Sequence, residues 1–433
     1  MSGDSPRLPL LALLAPLLWA SAAHAVPPDS IRAAITAGGR SEWSNEMYFE
    51  DQTLIDTTLS RRSLITAPES WTTGVIDASL IGARGAGTMR YRALNELQAG
   101  PQLIRDHLTL SWQQQIGLDW TFRLAPRAEY EHDRRFGRDI EGANAGASAH
   151  LRRSLGVSSG VELHALGDMA RARGTGSEYV PDRNAVESGI AFERFPLEGS
   201  EWRAAYRYAR RGYPDSVTRD HFEHGAEMEW RRDLAGSGIQ LQGRATRRDA
   251  LHPVDTRDRF LEADAGVVLR LWLGPSLDAE IGGGIETLTF DEPDTVVFFD
   301  YRIYRTFFFP RWSSGSWSIA LGPRAEYLTS PQESEEYFES AAVLTVESLH
   351  RQSWWSLAPA VGRREYAETA GLPTVDDLAR SSFTYLDLTA YADQRMPGQL
   401  QIRAMASVRS EWHDDSDGDT QSLYFSLDVR RLF

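Results

Sequence analysis

The chain has 433 residues, is 42% hydrophobic and 25% charged, contains no cysteine and carries a formal net charge of −15. All 46 basic residues are arginine, because lysine is absent. These figures exclude a disulfide scaffold, a thiol nucleophile and any metal site built on thiolates, and they argue against a nucleic-acid binder, whose phosphate contacts need a basic surface. The mean hydropathy of −0.40 is that of an ordinary soluble protein.

The chain opens with a secretory pattern. Arg7 supplies a positive n-region, residues 8–20 form an apolar run too short for a membrane span, and Ala23-His24-Ala25 gives the small-x-small pattern of a signal-peptidase site. Residues 1–25 are therefore expected to be a cleaved signal peptide, and the protein to be exported. No later stretch approaches the roughly 20 apolar residues of a transmembrane helix. If the mature chain meets a membrane, it must do so as a closed β-barrel, since an open sheet leaves backbone groups unsatisfied in lipid.

Residues 35–62 alternate poorly, so the segment 26–50 reads either as a first strand or as a periplasmic piece, with 51–433 as one barrel domain. From there apolar and polar residues alternate segment after segment. Residues 202–211 place Arg203, Arg207 and Arg211 on one face, and the next segment places Glu223, Glu227 and Glu229 on the matching face. Residues 260–273 set Leu261, Ala263, Ala265, Val267 and Leu269 against Glu262, Asp264 and Arg270. Residues 277–289 and 317–327 continue with Asp278, Glu280, Glu286, Arg324 and Glu326 on the polar side. Residues 384–393 alternate likewise, and residues 399–412 set Leu400, Ile402, Ala404 and Val408 against Arg403, Arg409 and Glu411. Period two of this length marks strands with one apolar and one polar face.

Length separates two exported β architectures. Sandwich strands average about 5–6 residues, whereas these segments run to about 10–14, which suits a tilted strand crossing a bilayer. Their polar faces carry both signs of charge, which a dry sandwich core does not accommodate. The fold class is therefore all-β, a transmembrane antiparallel up-and-down barrel of about 20 strands, with 18 the next even number. Connections alternate too. Long polar stretches at 134–139, 168–183, 212–220, 249–258, 367–382 and 414–419 alternate with tight turns at 274–275, 350–353 and Met396-Pro397-Gly398, the expected pattern of long outer loops and short periplasmic turns.

The closing run, Ser422-Leu-Tyr-Phe-Ser-Leu-Asp-Val-Arg-Arg-Leu-Phe433, resembles the C-terminal signal of Gram-negative outer-membrane barrel proteins, porin-like in type. Phe433, Val429, Leu427 and Phe425 share the outward face. Arg431 departs from the pattern, which has an apolar or aromatic residue there. The resemblance implies location in the outer membrane, contact with its lipid and lipopolysaccharide, and recognition by the barrel-assembly machinery. Trp312, Trp317, Trp354, Trp355, Tyr366 and Trp412 cluster where interfacial aromatic girdles are expected.

Three motifs bear on chemistry. Gly156-Val157-Ser158-Ser159-Gly160 matches the G-x-S-x-G pattern but lacks the following helix of a nucleophile elbow. His221 and His224 are three apart and point to opposite faces of a strand, so they cannot chelate one metal. The acidic loop 414–419 falls short of a calcium loop because His413 stands where the first aspartate belongs. No catalytic residue, cofactor or metal site is expected, and no nucleic-acid partner. The lumen candidates are Arg203, Arg207, Arg211, Glu223, Glu227, Glu229, Arg403 and Arg409. They either set a transverse field that selects ions or simply pair across strands. The expected function is a passive or weakly selective channel for small polar solutes. The alternatives are an export pore for a polymer such as polysaccharide, working with periplasmic partners, and a non-transporting barrel. The stretch ahead of the regular strands is too short for a separate plug, which argues against a TonB-dependent receptor.

Overall fold

The structure is a computed structural model that describes residues 30–53, 60–85, 88–135, 139–175, 182–195, 199–252, 259–293, 299–331, 335–367, 381–414 and 419–433. The expected signal peptide lies outside the described residues.

Twenty strands follow one another in chain order. The first seven are β1 (Ser30–Thr53), β2 (Ser60–Arg84), β3 (Met89–Ala99), β4 (Leu103–Ile116), β5 (Trp120–Asp133), β6 (Asp139–Ser154) and β7 (Ser159–Thr175). Next come β8 (Arg183–Arg194), β9 (Ser200–Gly212), β10 (His221–Leu234), β11 (Ser237–Ala250), β12 (Phe260–Gly274), β13 (Leu277–Phe290) and β14 (Tyr301–Ser314). The ring is completed by β15 (Trp317–Thr329), β16 (Tyr337–His350), β17 (Ser353–Tyr366), β18 (Phe383–Met396), β19 (Leu400–His413) and β20 (Thr420–Leu432). Each strand pairs antiparallel with its sequence neighbours, and β20 pairs with β1 from Thr36↔Leu432 to Met47↔Gln421. The ring is therefore closed and presents no sheet edge to lipid. Segment 26–50, left open between strand and periplasmic piece, contains most of β1, so the barrel begins at Ser30 rather than at residue 51.

Following paired residues once around the ring returns to β1 displaced by about 24 residues. With 20 strands about 4.8 Å apart and a rise of about 3.3 Å per residue, that stagger tilts the strands by about 40°. A circular ring of this tilt is about 40 Å across between backbones, leaving roughly 25 Å between side-chain tips.

Strict parity runs through every pairing except the turn end of β12–β13, where the register shifts between Trp272 and Gly274. On β12, Leu261, Ala263, Ala265, Val267 and Leu269 face outward, while Glu262, Asp264 and Arg270 share the inward face with Arg244 of β11 and with Glu280 and Glu286 of β13. The outer wall leaves large apolar side chains exposed, among them Met228, Leu241, Ile285 and Leu321. Taking such a side chain out of water stabilises by about 1.5–3 kcal/mol, so lipid and not a protein core supplies the apolar environment. Among the described residues there is no central core, and the few buried side chains lie against the wall, as in the small cluster of Ala341, Phe383 and Tyr385.

Loop lengths follow the expected alternation. The side that holds the start of β1 and the end of β20 has tight turns, such as residues 235–236, 275–276, 315–316 and 351–352. The opposite side has longer connections, such as 213–220, 251–259, 291–300 and 367–382. By the rule of short periplasmic turns the first side is periplasmic. The connection read as 168–183 is shorter than expected, because β7 runs on to Thr175.

Two aromatic bands mark the outer wall. Trp120, Trp312, Trp317 and Trp355 sit outward near the turns, with Trp317 and Trp355 edge to face at 4.9 Å. Tyr304, Tyr327, Phe338 and Trp412 sit outward near the loops. Two expected members do not belong. Trp354 pairs with Asp393 and stacks on Tyr391 at 4.6 Å, and Tyr366 pairs with Tyr337, both on the inner wall. Adjacent residues of a strand face opposite ways, so a Trp-Trp pair cannot place both rings in lipid.

Candidate functional site

The inner wall is a lattice of arginines and carboxylates. Arg203, Arg207 and Arg211 of β9 and Glu223, Glu227 and Glu229 of β10 occupy one face, as the register Arg203↔Glu229 and Arg211↔His221 requires. Their pairing is more divided than two opposed ladders. Arg203 lies 3.5 Å from Glu227 and 3.8 Å from Glu193 of β8, and Arg211 lies 3.3 Å from Glu223. Arg207 turns to Glu187 of β8 at 3.6 Å, while Glu229 accepts a hydrogen bond from the Gln240 amide of β11 at 3.1 Å. A cleft of about 290 Å³ opens in this wall, and His164, Glu187, Arg203, Arg207, Glu227 and Arg244 line it.

The same chemistry continues around the ring. Arg244 bridges Glu262 at 2.9 Å and Asp264 at 2.8 Å, and Arg270 meets Glu280 at 2.9 Å. Arg311 lies 3.9 Å from Asp278 and 3.7 Å from Glu280. Arg305 joins Glu286 at 2.7 Å and Glu326 at 2.8 Å. On β18 and β19, Arg403 pairs with Asp393 at 3.2 Å and Arg409 with Glu411 at 2.7 Å. Exposed pairs of this kind are worth about 0–1 kcal/mol each. They keep the wall wet and charged without closing it.

Two knots are tighter. Near the outer rim the buried Glu339 carboxylate accepts hydrogen bonds from Tyr385 at 2.7 Å, from Arg324 at 3.0 Å and from Arg364 at 2.6 and 2.9 Å. This joins β15 to β18. At the closing seam Arg430 pairs with Asp428 at 2.7 Å and with Asp77, while Arg40 reaches Asp428 at 2.9 Å. The seam is thus riveted from inside, across β20, β1 and β2.

Among the described residues, side-chain hydrogen bonds and ion pairs on the inner wall join strands close together in the ring. The widest links are Arg135, just beyond β5, to Glu42 of β1, Arg430 of β20 to Glu96 of β3, and Arg324 of β15 to Tyr385 of β18. None crosses to the opposite wall. Also among the described residues, no group of His, Asp and Glu is arranged to hold a metal ion, and no helix is long and apolar enough to cross a membrane.

Phe425, Leu427 and Val429 lie outward on β20, and the Phe433 amide donates to the Ile35 carbonyl at 2.8 Å. The exceptional Arg431 sits with its guanidinium 5.3 Å from the Phe433 ring centre. In the G-x-S-x-G stretch Ser158 lies in a turn and β7 begins at Ser159, so no elbow forms. Of the acidic loop, Asp414 pairs with Arg363 at 2.9 Å and Asp419 accepts from the His413 amide at 2.7 Å; residues 415–418 lie outside the described residues.

Solved structures share this architecture. An iron transporter, FrpB, from Neisseria meningitidis superposes with a TM-score of 0.56 at 8% identity, over 92% of this chain and 82% of that one. The siderophore receptor PirA from Pseudomonas aeruginosa gives 0.54 at 10% identity, over 92% and 80%. The alcaligin outer-membrane receptor FauA from Bordetella pertussis gives 0.54 at 10%, over 91% and 76%. This is the fold of a Gram-negative outer-membrane β-barrel. No protein-family model matches the sequence, and no curated protein matches it either.

Residue-by-residue reading missed several members of the lattice: Glu187, Glu193, Glu339, Asp393, Asp428 and Arg430. Carrying the parity of β9 into β8, and of β19 into β20, would have placed four of them on the inner face.

Proposed function

We propose that the barrel is a passive, weakly selective aqueous channel for small polar solutes. The observation that carries this reading is an inner wall lined with solvated ion pairs from mouth to mouth, with no described side chain bridging the lumen. A polar wall replaces part of a solute's hydration, and paired charges of both signs filter weakly instead of trapping one ion. Three proteins of this architecture are an iron transporter and two receptors, which supports a transport role at the level of the fold.

Planar-bilayer recording on the refolded barrel tests this. Steady ohmic conductance is expected, and an inserted barrel without conductance would overturn the channel in favour of a non-transporting barrel. Insertion is checked independently by heat-modifiable gel migration.

A further inference from the structure

From mid-barrel to the outer rim, inward arginines have carboxylate partners. Arg40, Arg105, Arg127, Arg244 and Arg305 each lie within 3.1 Å of one. At the periplasmic mouth the pairing continues on β6 to β14, as in Arg152 with Glu193 and Arg270 with Glu280, but it stops on β1 to β5. Arg32, Arg90, Arg92 and Arg123 are exposed, point inward and have no ion pair among the described residues. Arg395, near the same mouth on β18, is exposed and likewise unpaired.

The register gives this patch a shape. Arg92 and Arg32 flank Ile81 in one row across β3, β2 and β1, and Arg90 and Arg123 flank Gln113 in one row across β3, β4 and β5. Members of each row are two strands apart, about 10 Å between Cα atoms, so two guanidinium groups can converge on one ligand. Gln113, with Ser111 opposite Arg92 and Thr121 on β5, adds neutral hydrogen-bond donors between the charges. The nearest inward carboxylates, Asp77 and Glu96, are engaged higher up by Arg430. Arginine forks bind carboxylate and phosphate oxygens in pairs.

We propose that this mouth is a vestibule that binds small polyvalent anions, bearing phosphate or carboxylate groups, as they enter from the periplasm. The transport consequence rests on the channel reading above, but the binding itself does not. At the outer rim Glu131, Asp133, Glu223, Glu262 and Glu286 are each paired with an arginine. The unpaired arginines of β1, β3 and β5 therefore meet a solute that enters from the periplasm and not one that enters from outside.

The test uses inorganic tripolyphosphate added to one chamber of a bilayer at a time. Orientation is read by streptavidin capture of biotinylated Val217→Cys, a unique thiol because the chain has no cysteine. Block is expected from the turn side at about tenfold lower concentration than from the loop side, the effect of one charged hydrogen-bonded contact. The triple variant Arg90→Gln, Arg92→Gln, Arg123→Gln should abolish that difference while its conductance persists. Equal block from both sides, or one-sided block that survives the triple variant, overturns the vestibule. If the barrel does not conduct, the channel reading fails, and calorimetry of tripolyphosphate with the detergent-solubilised protein then decides the vestibule. Binding lost in the triple variant supports it; no binding, or binding unchanged, refutes it.

Discussion

Replacing Val267 with arginine and, separately, its neighbour Val268 with arginine makes the same chemical change on opposite faces of the wall. Val267 stands at the middle of β12, outward and 37% exposed, between Leu241 of β11 and Gly283 of β13. Val268 stands inward between Gln240 and Gly282. A guanidinium at the lipid midplane costs about 2–4 kcal/mol in a barrel, which is a factor of roughly 30 to 1,000 in the folding equilibrium. On the inner wall the charge stays hydrated and within reach of carboxylates such as Glu280, so Val268→Arg should cost less than about 1 kcal/mol. Urea titrations of folding into phosphatidylcholine vesicles, followed by tryptophan fluorescence and gel mobility, measure both. If the two variants lose stability equally, or Val268→Arg loses more, the assignment of faces is wrong, and with it the lumen.

Reversing Arg203, Arg207 and Arg211 to glutamate should move the reversal potential toward cation selectivity; an unchanged potential would assign those arginines to wall structure alone. Arg430→Gln leaves Asp428 with Arg40 alone and Asp77 with only the Thr36 hydroxyl, and should cost about 1.5–3 kcal/mol, part of which Asp428→Asn in the same chain should restore in the same titration. At the outer end, Arg247 donates to Asp291 at 2.7 Å and holds its carboxyl below the usual range. A depressed value means the contact stabilises fully above the ordinary carboxylate pKa of about 3.9 and is lost only as pH falls through the lowered one. Carbon NMR should therefore find Asp291 titrating below its usual range, and Arg247→Gln should return it there; a titration indifferent to that substitution refutes the pairing.

Strand identity and wall polarity were legible because they are local. Period two at residues 399–412 assigned Leu400, Ile402 and Val408 outward and Arg403 and Arg409 inward, and the pairing with β20 keeps that division. The run 422–433 placed Phe425, Leu427 and Val429 outward for the same reason. Reading failed where alternation alone was insufficient. In residues 35–62 small and polar residues blur the period, and β1 is recognisable only because β2 and β20 bond to it on both sides.

The sequence by itself determined that the protein forms long amphipathic strands, about how many there are, and that lipid rather than a core receives their apolar faces. Those follow from the alternation of side chains along a single strand. Which arginine meets which carboxylate was decided only by tertiary structure, because register and shear place residues far apart in sequence at one height. Glu187 and Glu193, not only Glu223 and Glu227, receive the arginines of β9, and Arg430 finds Asp77 across the closing seam. The unpaired arginines at the periplasmic mouth emerge the same way, since an unmatched charge is visible only once every neighbour is in place.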